Sequence, residues 1–195
     1  MEGWWIASYI VLWFLVVILA AVVVALARQI GTLHLRLGPR GAFEADDEGP
    51  ALGEAPEPTT RATLDGSLVT IGGPSGWQVV LFASPTCHLC DQLAPSLSVA
   101  ARMHDARAVV VVDAEEDEAR RMIARKGGVD APVVAAPDIS RSYAIPGTPF
   151  LVVMDPQGVV RAKGTANNLE QLEGLIETAV ARSERQREGV AWSTN

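Results

Sequence analysis

The sequence predicts an α/β fold, a mixed central sheet with helices on both faces, preceded by one N-terminal transmembrane helix. Two observations lead to this prediction. Residues 4–27 are almost unbroken apolar sequence. From residue 62 onward, short β-branched runs alternate with helix-compatible patterns and end in a hairpin and a helix. The 195 residues suffice for one ordinary globular domain plus an appended segment.

The apolar run from Trp4 to Ala27 is long enough to cross a bilayer. As a helix it extends about 36 Å, which exceeds the hydrocarbon core of about 30 Å. A cleaved signal peptide is the alternative, because Ala25-Leu26-Ala27 resembles a small-residue cleavage site. The run is longer than a usual signal core, however, and no Lys or Arg precedes it. We therefore assign residues 1–28 as a single-pass anchor in the cell membrane, in contact with the lipid bilayer through residues 4–27.

Residues 29–61 are predicted to be a juxtamembrane segment followed by an acidic linker rich in Pro, Ala and Gly. Acidic residues are spread through positions 44–57, and such a composition cannot bury enough apolar surface to fold by itself. We expect a tether that holds the domain away from the bilayer. The net charge of −7 and the lack of a dense basic cluster in the sequence argue against nucleic acid as a partner.

The domain is predicted to span residues 62–183, with a polar C-terminal tail at 184–195. It begins with a small hairpin around the turn Asp65-Gly66, and a second turn at 155–158 joins its last two strands. A short strand at 133–135 is followed by an irregular or briefly helical stretch to Tyr143. The other predicted strands lie at 78–83, 108–112, 150–154 and 159–162, and the predicted helices at 89–103, 115–126 and 168–182.

Cys87 and Cys90 are the only cysteines of the chain, and they lie between a predicted buried strand and the start of a predicted helix. Free backbone N–H groups and the helix dipole stabilise negative charge there, so they favour the thiolate of Cys87. A thiolate is the species that attacks a disulfide. Cys90 lies one turn further into the helix and can attack the resulting mixed disulfide. We therefore predict a thiol–disulfide oxidoreductase in which Cys87 is the nucleophile and Cys90 the resolving thiol.

Zinc binding and a purely structural bridge are the alternative roles of this pair. A structural zinc site needs about four Cys or His ligands, and only His34, His88 and His104 are available to complete one. The sequence has no second CxxC and no HxxxH pattern, so we predict no metal. A bridge that closes so short a loop stabilises a fold by about 2 kcal/mol at most, which favours a redox role.

A second motif, Ile-Pro-Gly-Thr-Pro-Phe, occupies positions 145–150. Together with the CxxC after a buried strand, it resembles the thioredoxin-like superfamily over about residues 64–179. The resemblance implies a cis bond between Thr148 and Pro149, which costs little at an X-Pro bond. It also implies that this loop faces the CxxC and binds the substrate peptide through backbone groups of Thr148 and Pro149. An ordinary proline at the start of a strand is the alternative.

The whole layout is similar to that of the membrane-bound thioredoxin-like accessory proteins of methylamine utilisation. The shared features are the anchor, Arg28-Gln29-Ile30-Gly31, Leu33-His34, the Ser-Pro-Thr-Cys-x-x-Cys box and Arg161-Ala162-Lys163-Gly164. The resemblance implies that the protein forms or isomerises disulfides during maturation of methylamine dehydrogenase. Its implied partners are the disulfide-rich small subunit of that enzyme and a membrane or soluble redox partner.

No cofactor is expected beyond the redox-active Cys87–Cys90 disulfide. Two other functions stay open, a thiol reductant for apocytochrome c in haem attachment and a non-catalytic thioredoxin-like scaffold. The direction of electron flow is open as well.

Three residues near the cysteines differ from the general thioredoxin pattern or add to it. Thr86 replaces the Trp that commonly precedes the first cysteine, and Leu81 stands where many thioredoxins have a buried acid that helps to deprotonate the resolving thiol. His88, when protonated, could stabilise the Cys87 thiolate; an exposed residue without that role is the equal alternative. Thr86 and His88 are therefore candidate thiolate-tuning residues.

The catalytic domain is expected outside the cytoplasm, where stable disulfides form. The charges beside the anchor favour the opposite orientation. Arg28, Arg36 and Arg40 follow the anchor, and the positive-inside rule places such a flank in the cytoplasm. We retain the extracytoplasmic side as the prediction.

Overall fold

The computed structural model describes residues 3–36, 43–44, 48–125 and 128–193 of the chain. The molecule divides between Pro39 and Arg40 into two compact units. In chain order the elements are α1 Gly3–Arg36, β1 Phe43–Glu44, β2 Thr59–Ala62, β3 Leu68–Ile71, β4 Trp77–Ala83, α2 His88–Met103, β5 Ala106–Val112, α3 Glu116–Ala124, β6 Val133–Ala135, α4 Pro137–Ser142, β7 Phe150–Met154, β8 Val160–Thr165 and α5 Leu169–Ser193.

Helix α1 contains the predicted membrane span. Its first 22 residues, Gly3–Val24, have a mean hydropathy of 2.8, and by length and composition they suffice to cross a bilayer. Within the described part of the chain this is the one helix that does so. The helix continues to Arg36, so it also includes the beginning of the expected juxtamembrane segment.

The six-stranded sheet is mixed, as the sequence predicts. Its strand order is β1-β8-β7-β4-β5-β6. The central strand β4 pairs in parallel with β5 and antiparallel with β7, whereas β8 runs antiparallel to both β7 and β1. Six of the seven β4 residues are buried, because both faces of this strand are covered. The continuous apolar run of its sequence reflects that burial.

Two hydrophobic cores lie on opposite faces of the sheet, because successive side chains of a strand alternate between faces. The first core packs beneath α2, α3 and α5, and the second beneath α4 and the β2–β3 hairpin. Helices therefore cover both faces, as predicted. Large or central members of the first core are Leu81, Cys90, Leu93, Met122 and Leu172, and those of the second are Ile71, Phe82, Ile139, Tyr143 and Phe150.

The acidic linker was expected to be a tether, and over residues 48–58 that expectation is wrong. This segment, here called the strap, lies against the domain. The Gly53 backbone N–H donates to the carbonyl of Val160 at 2.9 Å, and the Val160 N–H donates to the carbonyl of Glu54 at 2.8 Å. Such backbone pairing with β8 does not depend on side-chain polarity, so an acidic composition does not prevent it.

A buried lysine holds the start of the strap. Lys163 on β8 is 1 % exposed, and its Nζ donates to the carbonyl of Glu48 at 2.7 Å. Gly49, at φ +72°, lies so close to the Phe150 ring that a Cβ atom would be 2.9 Å from Cε1. The strap is therefore fixed to the strand that follows Pro149.

Most predicted elements agree with the structure to within a few residues. Strands β6 and β7 match residue for residue, and the hairpin around Asp65-Gly66 forms with its first strand at Thr59 rather than Thr63. Helix α5 continues to Ser193, so the expected tail at 184–195 is helical over its described residues.

Candidate active site

A tight turn carries Cys87 from the end of β4 to the start of α2. The Cys87 backbone N–H donates to the carbonyl of Ser84 at 3.1 Å and closes this turn. Cys87 is the N-cap residue of α2, and its Sγ accepts a hydrogen bond from the Cys90 N–H at 3.1 Å. The sulfur therefore lies where the unpaired N–H groups of the helix converge, as the sequence predicts.

The two cysteines are joined in a disulfide, with their Cα atoms 5.3 Å apart. Their surroundings differ. Cys90 is fully buried, whereas Cys87 is partly exposed. Cys90 belongs to the same apolar core as Leu81 and Leu93, and such surroundings disfavour a charged thiolate. Only the outer sulfur of the pair is open to a protein substrate.

The predicted cis-proline loop lies beside this turn. The Thr148–Pro149 bond is cis, and the Thr148 hydroxyl is hydrogen-bonded to the Ser84 hydroxyl at 2.9 Å. Pro149 is buried, while Thr148 is partly exposed. Two motifs that are 64 residues apart in sequence thus meet at one surface.

The two candidate thiolate-tuning residues lie at the surface of the site. Thr86 is exposed and its hydroxyl lies 3.3 Å from that of Ser84. His88 begins α2 with an exposed side chain. The structure therefore puts both beside Cys87, and their influence on the thiolate stays a prediction.

Leu81 occupies the position at which the thioredoxin pattern often has a buried acid. It is fully buried in the first core. No carboxylate is therefore available at residue 81 to take a proton from Cys90.

Sequence reasoning missed two residues that connect the turn to distant parts of the chain. Ser84 was noted only as part of a motif, although its hydroxyl bonds to Thr148. The guanidinium of Arg125, which follows α3, donates to the Pro85 carbonyl at 3.2 Å. Both contacts join distant parts of the chain, and the local patterns that reveal helices and strands do not report such contacts.

Among the residues that the structure describes, no three or more His, Cys, Asp or Glu side chains lie close enough together to hold a metal ion.

Solved structures of low sequence identity share this fold. The thioredoxin domain of a thiol-disulfide oxidoreductase from Bacteroides vulgatus is 21 % identical, with a TM-score of 0.53 over 65 % of this chain and 96 % of that domain. A thiol:disulfide interchange protein from a Bacteroides species is 20 % identical, with a TM-score of 0.52 over 68 % of this chain and 90 % of the other. The α/β domain therefore has the thioredoxin-like fold.

Relatives with closer sequences cover nearly the whole chain, although no family model matches it. The methylamine utilization protein MauD of Methylorubrum extorquens is 35 % identical over 175 residues, which are 88 % of this chain and 85 % of the relative. The MauD protein of Paracoccus denitrificans is 33 % identical over 180 residues, 91 % of this chain and 90 % of the relative. With this identity over about nine tenths of its length, the chain belongs to the family of the methylamine utilization protein MauD.

Proposed function

We propose that this protein is a membrane-anchored thiol–disulfide oxidoreductase that works through Cys87 and Cys90. One observation carries the proposal. A disulfide with one buried and one accessible sulfur caps a helix N-terminus beside a cis-proline loop that is hydrogen-bonded to the same turn. The proposal includes no cofactor beyond this disulfide.

The exchange has two steps. In the reduced protein the Cys87 thiolate attacks a substrate disulfide, so one substrate sulfur leaves as a thiolate and the other is bound to Cys87. The Cys90 sulfur, having lost its proton to water, then attacks Cys87 Sγ and releases the second substrate thiolate. The substrate gains two electrons and the protein becomes the disulfide. The reverse sequence oxidises a substrate dithiol, and attack followed by release without Cys90 isomerises a disulfide.

The local geometry supports Cys87 as the attacking sulfur. The Cys90 N–H points at Cys87 Sγ from 3.1 Å, and hydrogen bonds to a charged acceptor are stronger than neutral ones. The apolar core around Cys90 provides the opposite environment. Thr148 and Pro149, beside the turn, are proposed to hold the substrate peptide through their backbone groups.

Membership in a methylamine utilisation family points to the protein substrate. We propose that the disulfides formed or isomerised are those of the small subunit of methylamine dehydrogenase during its maturation. A membrane or soluble redox partner then restores the oxidation state of the Cys87–Cys90 pair, since each net oxidation or reduction of a substrate changes that oxidation state.

The proposed location is the extracytoplasmic side of the cell membrane, with α1 as the anchor. A helix of this length and apolarity supports the anchor, and the stability of disulfides outside the cytoplasm supports the side. Protease added to intact spheroplasts is expected to digest the domain. Complete protection of the domain, with digestion only after lysis, would place it in the cytoplasm.

Single cysteine variants test the chemistry and the substrate together. Cys90→Ser should keep attack and lose resolution, so the protein stays bound to its substrate through Cys87. Non-reducing purification of this variant should recover the dehydrogenase small subunit, released by a thiol reductant. Cys87→Ser, the matched control, should give no adduct and no turnover of a model disulfide.

Each other outcome has a defined meaning. Equal adducts from both variants would contradict the assigned roles of the cysteines. Recovery of apocytochrome c alone would identify a reductant for haem attachment. Turnover of the model disulfide by Cys87→Ser at the wild-type rate would indicate a scaffold whose cysteines are not catalytic.

A further inference from the structure

Arg125 connects the end of α3 to the turn that carries the nucleophile. Its backbone N–H ends the helix by donating to the carbonyl of Arg121 at 3.2 Å. Its guanidinium reaches across to donate to the Pro85 carbonyl at 3.2 Å. Pro85 is the second residue of the turn that Ser84 and Cys87 close. A permanently charged side chain is thus held at the active-site turn.

The hydrogen bond fixes the position of this charge relative to Cys87. Pro85 precedes Cys87 by two residues, so the guanidinium lies on the order of 5–10 Å from the sulfur. A guanidinium does not lose its proton in proteins, and therefore the charge is the same in every state of the cysteine pair.

Among the described residues, other ionisable side chains lie on the elements that flank the turn. Asp91 lies in the first turn of α2 and His88 at its start. Asp113, whose N–H donates to the Ala83 carbonyl at 2.8 Å, and Glu115 extend from the connection between β5 and α3. The cis-proline loop has no ionisable side chain at positions 145–149. Arg125 therefore adds a positive charge to this turn.

We propose that Arg125 is a positioning residue that stabilises the thiolate of reduced Cys87 through a charge held on the Pro85 carbonyl. When Cys87 ionises, its proton passes to water and the electron pair stays on sulfur beside this cation. The disulfide carries no charge, so Arg125 stabilises the reduced form of the pair relative to the oxidised form. The inference rests on the proposed exchange chemistry of Cys87 and not on the identity of the protein substrate.

Two substitutions separate the charge from the hydrogen bond. Arg125→Gln keeps an N–H donor and removes the charge, whereas Arg125→Lys keeps the charge and gives up the planar guanidinium. Arg121→Gln is the matched control, because Arg121 is an exposed cation one turn earlier on the same helix. All three are made in the full chain, reduced, and alkylated with iodoacetamide over a range of pH. The modified Cys87 peptide is quantified by mass spectrometry.

Arg125→Gln should move the midpoint of Cys87 alkylation to higher pH by about 0.3–0.7 unit, which is a two- to fivefold smaller thiolate fraction. In a glutathione buffer the same variant should show a similar two- to fivefold shift towards the disulfide, because its reduced form has lost a stabilising charge. Arg125→Lys should keep both the alkylation midpoint and the disulfide equilibrium close to those of the wild type. Arg121→Gln should change neither quantity.

Three results would overturn the proposal. The first is an unchanged alkylation midpoint in Arg125→Gln. The second is an equal shift in Arg121→Gln, which would indicate the general electrostatic field of the protein. The third is a shift in Arg125→Lys as large as in Arg125→Gln, which would assign the effect to the shape of the turn. Iodoacetamide needs no protein substrate. A failure of the substrate assignment therefore leaves this measurement unaffected.

Discussion

At the scale of single residues, the hydroxyl groups of Ser84 and Thr148 join the two halves of the active site. They are 2.9 Å apart. We expect Ser84→Ala and Thr148→Val each to destabilise the oxidised domain, because either change removes this hydrogen bond. In a double-mutant cycle by urea unfolding, the coupling energy should be about 0.5–1.5 kcal/mol. Exchange with a protein substrate should weaken more than exchange with a small disulfide, since the cis-proline loop is proposed to bind the peptide.

Ser142→Ala provides a control for this cycle. The Ser142 hydroxyl also makes one hydrogen bond, to the Ile139 carbonyl at 2.9 Å, but it does not contact the turn. Paired with Thr148→Val, it should give additive changes in the free energy of unfolding. Additive changes for Ser84 and Thr148 as well would show that their hydrogen bond does not couple the two loops.

Tyr143 should make the domain sensitive to alkaline pH. Burial, followed by the negative charge of Glu54, raises the pKa of Tyr143 from 10.0 to about 12. The folded state therefore holds the phenol proton more tightly than the unfolded state does. This contribution to stability is complete below pH 10 and is lost as the pH rises through 12.

Comparison with Tyr143→Phe isolates this effect from other groups that titrate at high pH. The difference in phenolate absorbance between the two proteins should have its midpoint near 12, and the variant should lose less stability over the same range. The Tyr143 hydroxyl is buried and has no hydrogen-bond partner among the described residues, so its removal should not destabilise the domain at neutral pH. A midpoint near 10 would show that the phenol is solvated.

At the scale of structural elements, the strap and β7 support each other through Gly49. Its positive φ and its contact with the Phe150 ring both require glycine. Gly49→Ala should therefore destabilise the domain by about 2–4 kcal/mol, from left-handed backbone strain plus overpacking. Because Phe150 directly follows Pro149, this variant should also exchange disulfides more slowly. The measurements are urea unfolding of the oxidised protein and turnover of a protein disulfide.

Gly53→Ala is the matched control in the strap. Gly53 also has a positive φ, of +86°, but a Cβ atom there would meet nothing within 4 Å. It should lose only about 1–2 kcal/mol and keep full exchange activity. Equal losses in the two variants would mean that the Phe150 ring moves aside and that the strap does not support the cis-proline loop.

The same elements show what sequence patterns can reveal. Strand β7 was predicted to the residue, because Pro149 and the Asp155-Pro156 turn bound an unbroken apolar run. In that turn, the Asp155 carboxylate accepts hydrogen bonds from the N–H groups of Gln157 and Val159 at 2.9 and 3.0 Å. Asp commonly bonds to the backbone in this way in turns, so the local sequence predicts the turn well. The strap was missed, because backbone pairing and one buried lysine hold an acidic segment that composition alone assigns to a tether.

At the scale of the whole molecule, the sequence predicted the two motifs but not the residues that contact them in the fold. The cysteines and the cis-proline loop were predicted, since their residue types are distinctive and their order along the chain fits one fold. Ser84 and Arg125 were not predicted as contacts, because their partners lie 64 and 40 residues away. Their residue types have no distinctive local pattern, and only the folded chain reveals these pairings.

The central strand acquires its neighbours at very different times during synthesis. β5 follows β4 after one helix, whereas β7 follows roughly 70 residues later, about 4–14 s at ribosomal rates. The core that buries Cys90 includes Leu151 on β7 and Leu172 on α5, so the enclosure of Cys90 is not complete until both have been synthesised. The pair can therefore be oxidised before the domain has closed around it, and the two electrons it then gives up must pass to an acceptor such as a substrate disulfide or the proposed redox partner.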